Sequence, residues 1–187
     1  MKTLIFYSLM VCFIAAGTVN AQEITELEET KVVYKPVKHA LSPDLNAVSI
    51  SIEEEYAGEF LEDPLAFLRE NFDIQDLIDQ TADKDYDTYT VVLNHSKGFL
   101  RANFDDEGKM IKNDQVFRNI LIPRDLIIAL YKQHKGWEIV KNKYVASGNG
   151  DRVDNAFYKI KLTNGNETRR LKLEMKPNEG FALVQKN

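Results

Sequence analysis

Cysteine is almost missing from this chain: Cys12 is the single one in 187 residues. A disulfide scaffold and a Cys-rich zinc module are thereby excluded. Histidine is scarce too. His39, His95 and His134 show no zinc-ligand spacing, and no His-Glu-x-x-His sequence occurs. There is no P-loop, no Gly-x-Gly-x-x-Gly and no Gly-x-Ser-x-Gly. Nine glycines and five prolines are too few for a collagen-like or low-complexity chain. What is present is a globular composition, 44% hydrophobic and 28% charged, long enough for one domain or two small ones. The net charge of −5 gives no general reason to expect nucleic-acid binding.

Met1 and Lys2 make a cationic start, and Leu4 to Ala16 is apolar apart from Tyr7 and Ser8. Val19-Asn20-Ala21 then offers small residues at the −3 and −1 positions of a cleavage site. Residues 1–21 therefore read as a secretory signal peptide. The run is shorter than the roughly 20 apolar residues of a membrane span, and no later segment reaches that length. A lipoprotein would need a small residue before Cys12, where Val11 stands. The expectation is an exported chain, periplasmic or secreted, with 166 residues from Gln22 and no transmembrane segment. Without cysteine it has no thiol nucleophile, redox centre or thiolate ligand.

Residues 22–60 read as an acidic leader with one strand, Ala47 to Ile52. Asp63-Pro64 is an N-cap followed by proline, and Leu61, Leu65, Leu68 and Phe72 recur at helical spacing. Asp73 is placed to cap a further turn carrying Ile74, Leu77 and Ile78. From Asp87 the period drops to two. Tyr89, Val91 and Leu93 share one face, Leu100, Ala102 and Phe104 the next, and Lys109 to Phe117 follow as a third strand. Pro123 opens a helix with a stripe of Leu126, Ile127, Leu130 and His134, which Gly136 ends. Trp137 to Ala146 reads as strand and Ser147 to Asp151 as loop. Tyr158, Ile160 and Leu162, then Leu171, Leu173 and Met175, form further faces before a last strand at Phe181 to Val184. Loops this short demand antiparallel pairing. The fold class expected is α+β: an antiparallel sheet with helices on one face, in two α-β-β-β units over residues 61–120 and 121–187.

Pro123 before an amphipathic helix, Lys135-Gly136-Trp137 at its exit, and strands ending in Asn178-Glu179-Gly180 carry a resemblance. Over residues 86–187 the chain resembles the PepSY-like, β-lactamase-inhibitor-like family of bacterial exported proteins. His134 and Lys135 stand where that family has Tyr-Pro. The resemblance implies a tandem α-β-β-β protein that binds other proteins. It does not imply inhibition of a β-lactamase, because the inhibitors are disulfide-bonded.

Catalytic chemistry finds little footing. The histidines read as solvated or capping. Asp83, Asp85 and Asp87 lack the Gly and Glu of a calcium loop, with Thr88 and Asn94 at those positions. Asp105-Asp106-Glu107 reads as a solvated turn. Nucleotidyl transfer would need a phosphate-cradling His-x-Gly-His turn after a parallel strand, and neither that motif nor a parallel β-α-β pattern is legible. No enzyme, catalytic residue, metal or cofactor is expected.

A binding surface is legible instead. With Tyr89, Val91 and Leu93 turned to the helices, alternation sends Phe99, Arg101, Phe157, Lys159, Lys161, Arg170 and Lys172 to the other side. Aromatic and Arg side chains suit interface hot spots, and on a solvated sheet they also suit plain cross-strand pairing. The charge is divided. Residues 22–90 hold 18 acidic and 5 basic side chains, whereas residues 91–187 hold 11 acidic and 18 basic. Either the acidic half covers the basic sheet, or the basic half faces an anionic partner. A protein partner is expected first, and an anionic envelope component second, but not nucleic acid. A different class of reading is a small-ligand or ion-binding protein with a pocket between helix and sheet.

Overall fold

The computed structural model describes residues 46–176 and 180–184. Residues 1–45, which hold the expected signal peptide and most of the expected acidic leader with His39, lie outside them, as do residues 177–179 and 185–187. The first strand, β1 (Ala47–Ser51), leads into a 3-10 turn and three short helices, α1 (Ala57–Glu62), α2 (Pro64–Asn71) and α3 (Ile74–Gln80). A three-stranded meander follows: β2 (Thr88–His95), β3 (Gly98–Asp105) and β4 (Met110–Arg118). After α4 (Arg124–Gln133) come β5 (Glu138–Asn149), β6 (Asn155–Asn164), β7 (Glu167–Lys176) and β8 (Gly180–Val184). The helix starts obey local chemistry. Asp63 Oδ1 accepts from the Ala66 N–H at 2.9 Å with Pro64 behind it, and Asp73 Oδ1 accepts from the Gln75 N–H at 2.9 Å.

All eight strands make one sheet in chain order. From β2 to β8 every neighbour is antiparallel, so the fold is α+β as the loops require. β1 is different. It pairs with β2 in parallel, Ala47 opposite Thr90 and Ile50 opposite Leu93, and α1–α3 form the crossover. The reading that no parallel β-α-β pattern exists is corrected here. The three helices are short and broken at Asp63 and Asp73, so no single helical period marks the crossover.

Register carries one face across the sheet. Ile50, Leu93, Leu100, Gln115 and Ala146 are successive cross-strand neighbours, and so are Phe117, Tyr144, Tyr158 and Leu173. Two clusters pack on that face. Phe60, Leu65, Phe67, Leu68 and Leu77 from α1–α3 cover Val91, Leu93, Leu100 and Phe117. Leu126 and Leu130 from α4, with Trp137, cover Tyr158, Ile160, Leu162 and Leu173. Phe60 and Leu100 are wholly buried, each contributing about 2–3 kcal/mol.

Two further expectations change. α1 arises where only a leader was expected, because Ala57-Gly58-Glu59-Phe60-Leu61-Glu62 is too short to show periodicity. Ser147, Gly148 and Asn149 are strand rather than loop, opposite Asp114, Asn113 and Lys112. Their extension is held by Asn113, which is fully buried and donates from Nδ2 to the carbonyls of Gly150 and Arg152, both at 2.9 Å. Gly136 does take the left-handed conformation, φ +79°, two residues beyond the His134 cap.

Candidate functional site: a basic sheet face and a cleft behind it

The helix-free face carries every expected site residue, in two groups. Across the middle of the sheet runs the row Phe99, Val116, Val145, Phe157 and Glu174. Three strand spacings, about 14 Å, separate the two phenylalanines. Phe157, Lys159, Lys161, Arg170 and Lys172 are brought together on β6 and β7, where Lys159 lies opposite Lys172 and Lys161 opposite Arg170. Arg101 is not with them. It stands on the far side of the apolar row, opposite Asp114, with its guanidinium 5.6 Å from the Phe99 ring centre.

Three cations absent from the expected set complete the group. Lys143 sits between Arg118 and Lys159, and Lys141 opposite Lys161. A β-bulge conceals the two lysines. Register slips between Ile139 and Lys141, so Ile139 faces the helices with Leu162 while Lys141, two residues on, joins Lys161 outside. Simple alternation from Trp137 runs out of phase at that point. Seven basic side chains thus occupy adjoining rows around Phe157. Its ring receives the ammonium groups of Lys172 at 4.5 Å and Lys159 at 5.6 Å from the centroid. Among the described residues the one carboxylate paired within this group is Glu174, with Lys172. The acidic side chains of α1–α3 lie on the opposite face, so the described part of the acidic half does not cover the basic one.

Behind the sheet, between α1 and the link from β4 to α4, opens a cleft of about 870 Å³. Gln115, Phe117, Tyr144 and Tyr158 supply strand residues to its lining, and Ala57, Gly58, Leu61, Ile120 and Ile122 helix and link residues. Leu121, 95% exposed, marks its rim. The link is pinned from β5: Asn142 Nδ2 donates to the Ile120 carbonyl at 2.9 Å, and the Asn142 N–H donates to Asn119 Oδ1 at 3.3 Å. The rings of Tyr144 and Tyr158 meet at a 47° tilt, 5.0 Å between centres. Burial raises the phenol pKa of Tyr144, and burial with the Tyr144 charge pushes Tyr158 up to about 12.

His95 and His134 are not solvated as expected, although His134 does cap α4. The His95 side chain is 1% exposed, its Nε2 3.3 Å from Glu54 Oε1, while Ser96 Oγ donates to the same oxygen at 3.0 Å. These contacts, the Ser96 hydrogen bond first, hold the Glu54 carboxyl below its ordinary value. Serine, histidine and glutamate here do not make a nucleophilic triad. His95 Nδ1 accepts from the Lys97 N–H at 3.2 Å, so in the neutral ring the proton sits on Nε2 and points at Glu54. No basic nitrogen is left for the Ser96 hydroxyl. His134 is buried at the end of α4, and neither ring nitrogen has a hydrogen-bond partner among the described residues.

Among the described residues no group of three His, Cys, Asp or Glu side chains could hold a metal ion, and no helix is long and apolar enough to cross a membrane. No family model, curated protein or solved structure matches the chain.

Proposed function

We propose that this is an exported, noncatalytic binding protein that docks an acidic surface of a protein partner on its helix-free sheet face. The observation that carries the reading is the grouping of Arg118, Lys141, Lys143, Lys159, Lys161, Arg170 and Lys172 around Phe157, with Glu174 the carboxylate paired among them. Cations at this spacing repel one another on an isolated sheet, and an anionic partner relieves that repulsion while Phe157 supplies an anchor. The export signal in residues 1–21 and a tandem PepSY-like α-β-β-β arrangement belong to the same reading. Two helix-on-sheet clusters, one per unit, support that arrangement, although the second unit has four strands, β5 to β8, where three were expected.

The test is crosslinking and affinity capture from the native envelope with the wild-type chain and with a Phe157→Ala, Lys159→Glu, Lys161→Glu variant. The variant should keep its circular dichroism and lose the captured protein, and capture should weaken with salt. Equal capture by a folded variant rejects the surface. Capture of anionic lipid or polysaccharide in place of a protein rejects the partner class.

A further inference from the structure

The cleft on the helix side contains a built polar feature that the sheet face does not explain. Gln115 is only 3% exposed and lines the cleft, and among the described residues its side-chain amide has no hydrogen-bond partner. The amide is not sealed off: its atoms open on the cleft, where a ligand can reach them. Apart from the phenols of Tyr144 and Tyr158, the rest of the lining is largely hydrocarbon: Leu61, Pro64, Phe117, Ile120, Ile122 and Met175. Cation and anion meet the cleft at different places, Lys97 from the β2–β3 turn and Glu62 from the end of α1, with no ion pair between them. Lys97 lies beside Phe117, since its carbonyl accepts from the Arg118 N–H at 2.7 Å. Phe117 is two residues from Gln115 on the same strand face, about 7 Å away. Gln115 and Lys97 thus both border the cleft from the sheet side. The volume falls in the range of small-molecule sites, about 300–1,000 Å³.

We propose that the cleft binds an amphipathic carboxylate, a hydrocarbon tail bearing one carboxyl group, with Gln115 and Lys97 receiving the head and Leu61, Phe117, Ile120 and Ile122 the tail. Such a ligand accepts from the Gln115 amide, places its charge at the lysine end and keeps its chain out of water. Gly58 makes the idea easy to test. It lines the cleft and a Cβ built there meets nothing within 4 Å, so a larger side chain is accommodated at the wall without touching the core.

Titration calorimetry with decanoate, decylammonium and decanol below their aggregation concentrations separates the alternatives. Decanoate should bind one-to-one and more tightly than the other two. Gly58→Leu should abolish the binding, and Gln115→Leu and Lys97→Gln should each weaken it at least fivefold. Leu121→Glu, at an exposed rim position, gives the same sign of effect if Gly58→Leu does not fold. Phe157→Ala on the other face should leave decanoate binding unchanged, which keeps this result separate from the docking test. No heat with decanoate, unchanged binding in folded Gly58→Leu or Leu121→Glu, or preference for decylammonium through Glu62 would overturn the assignment.

Discussion

The ammonium of Lys172 stands 4.5 Å from the centre of the Phe157 ring and also pairs with Glu174, the residue directly opposite Phe157 on β7. One cation is thereby shared between an aromatic face and a carboxylate. A double-mutant cycle on Phe157→Leu and Lys172→Met should give a coupling of about 0.5–1 kcal/mol in urea unfolding. A coupling indistinguishable from zero would mean that the aromatic contact contributes nothing to the fold.

Asn113 should be the costliest polar substitution in the sheet. Its amide donates to two carbonyls of the segment after β5, at a site with no solvent access. Asn113→Ala leaves both carbonyls unpaired and opens a void, for a loss of about 2–3 kcal/mol. Chemical denaturation measures the loss, and amide exchange at residues 150–154 should accelerate with it.

Gly148 tests the extension of β5. A Cβ at that position would come within 1.8 Å of the Arg152 carbonyl oxygen, a backbone atom that cannot swing aside. Gly148→Ala should destabilise the chain by about 3 kcal/mol or more. A melting temperature unchanged from wild type would return Ser147–Asn149 to the status of an ordinary loop.

Alkaline pH should unfold the protein earlier than an ordinary surface tyrosine would allow. Tyr158 ionises near 10 in an unfolded chain and at about 12 in the fold, chiefly because it is buried. Its contribution to stability is whole below pH 10 and is lost as pH rises toward 12. Tyr158→Phe removes the ionisable hydroxyl, so its unfolding free energy should decline less steeply over that interval.

Legibility in the sequence followed the length of each periodic signal. Tyr89, Val91 and Leu93 alternate cleanly and their faces were readable, as were those of Tyr158, Ile160 and Leu162. The basic group was half readable. Lys159, Lys161, Arg170 and Lys172 lie on regular strands, whereas the bulge before Lys141 reverses the phase of β5 and hides Lys141 and Lys143. The face of Arg101 follows from alternation, but which row it shares depends on pairing register, and short-range pattern does not encode that. Of the cleft, the sequence suggests a pocket between helix and sheet but not the residues that line it. Gln115 looks like one more polar strand residue until Leu100 and Ala146 are known to flank it. The burial of His95 depends on Phe60, 6.4 Å away between ring centres, from a helix without a periodic signal.

The parallel pairing of β1 bears on the order in which the molecule assembles. Ala47 meets Thr90 across 43 positions of chain, whereas β2 through β7 meet their neighbours through tight turns or one helix. Closing the longer loop costs more entropy before its contacts form. Pulse-labelled hydrogen exchange during refolding should therefore protect the β6 amides before those of β1, and simultaneous protection would contradict this order. Because α1 is tethered between β1 and α2, one wall of the cleft is completed only when that last strand docks. Until then the meander stands with its edge at β2 open to solvent, and the step that seals the edge is also the one that finishes the cavity.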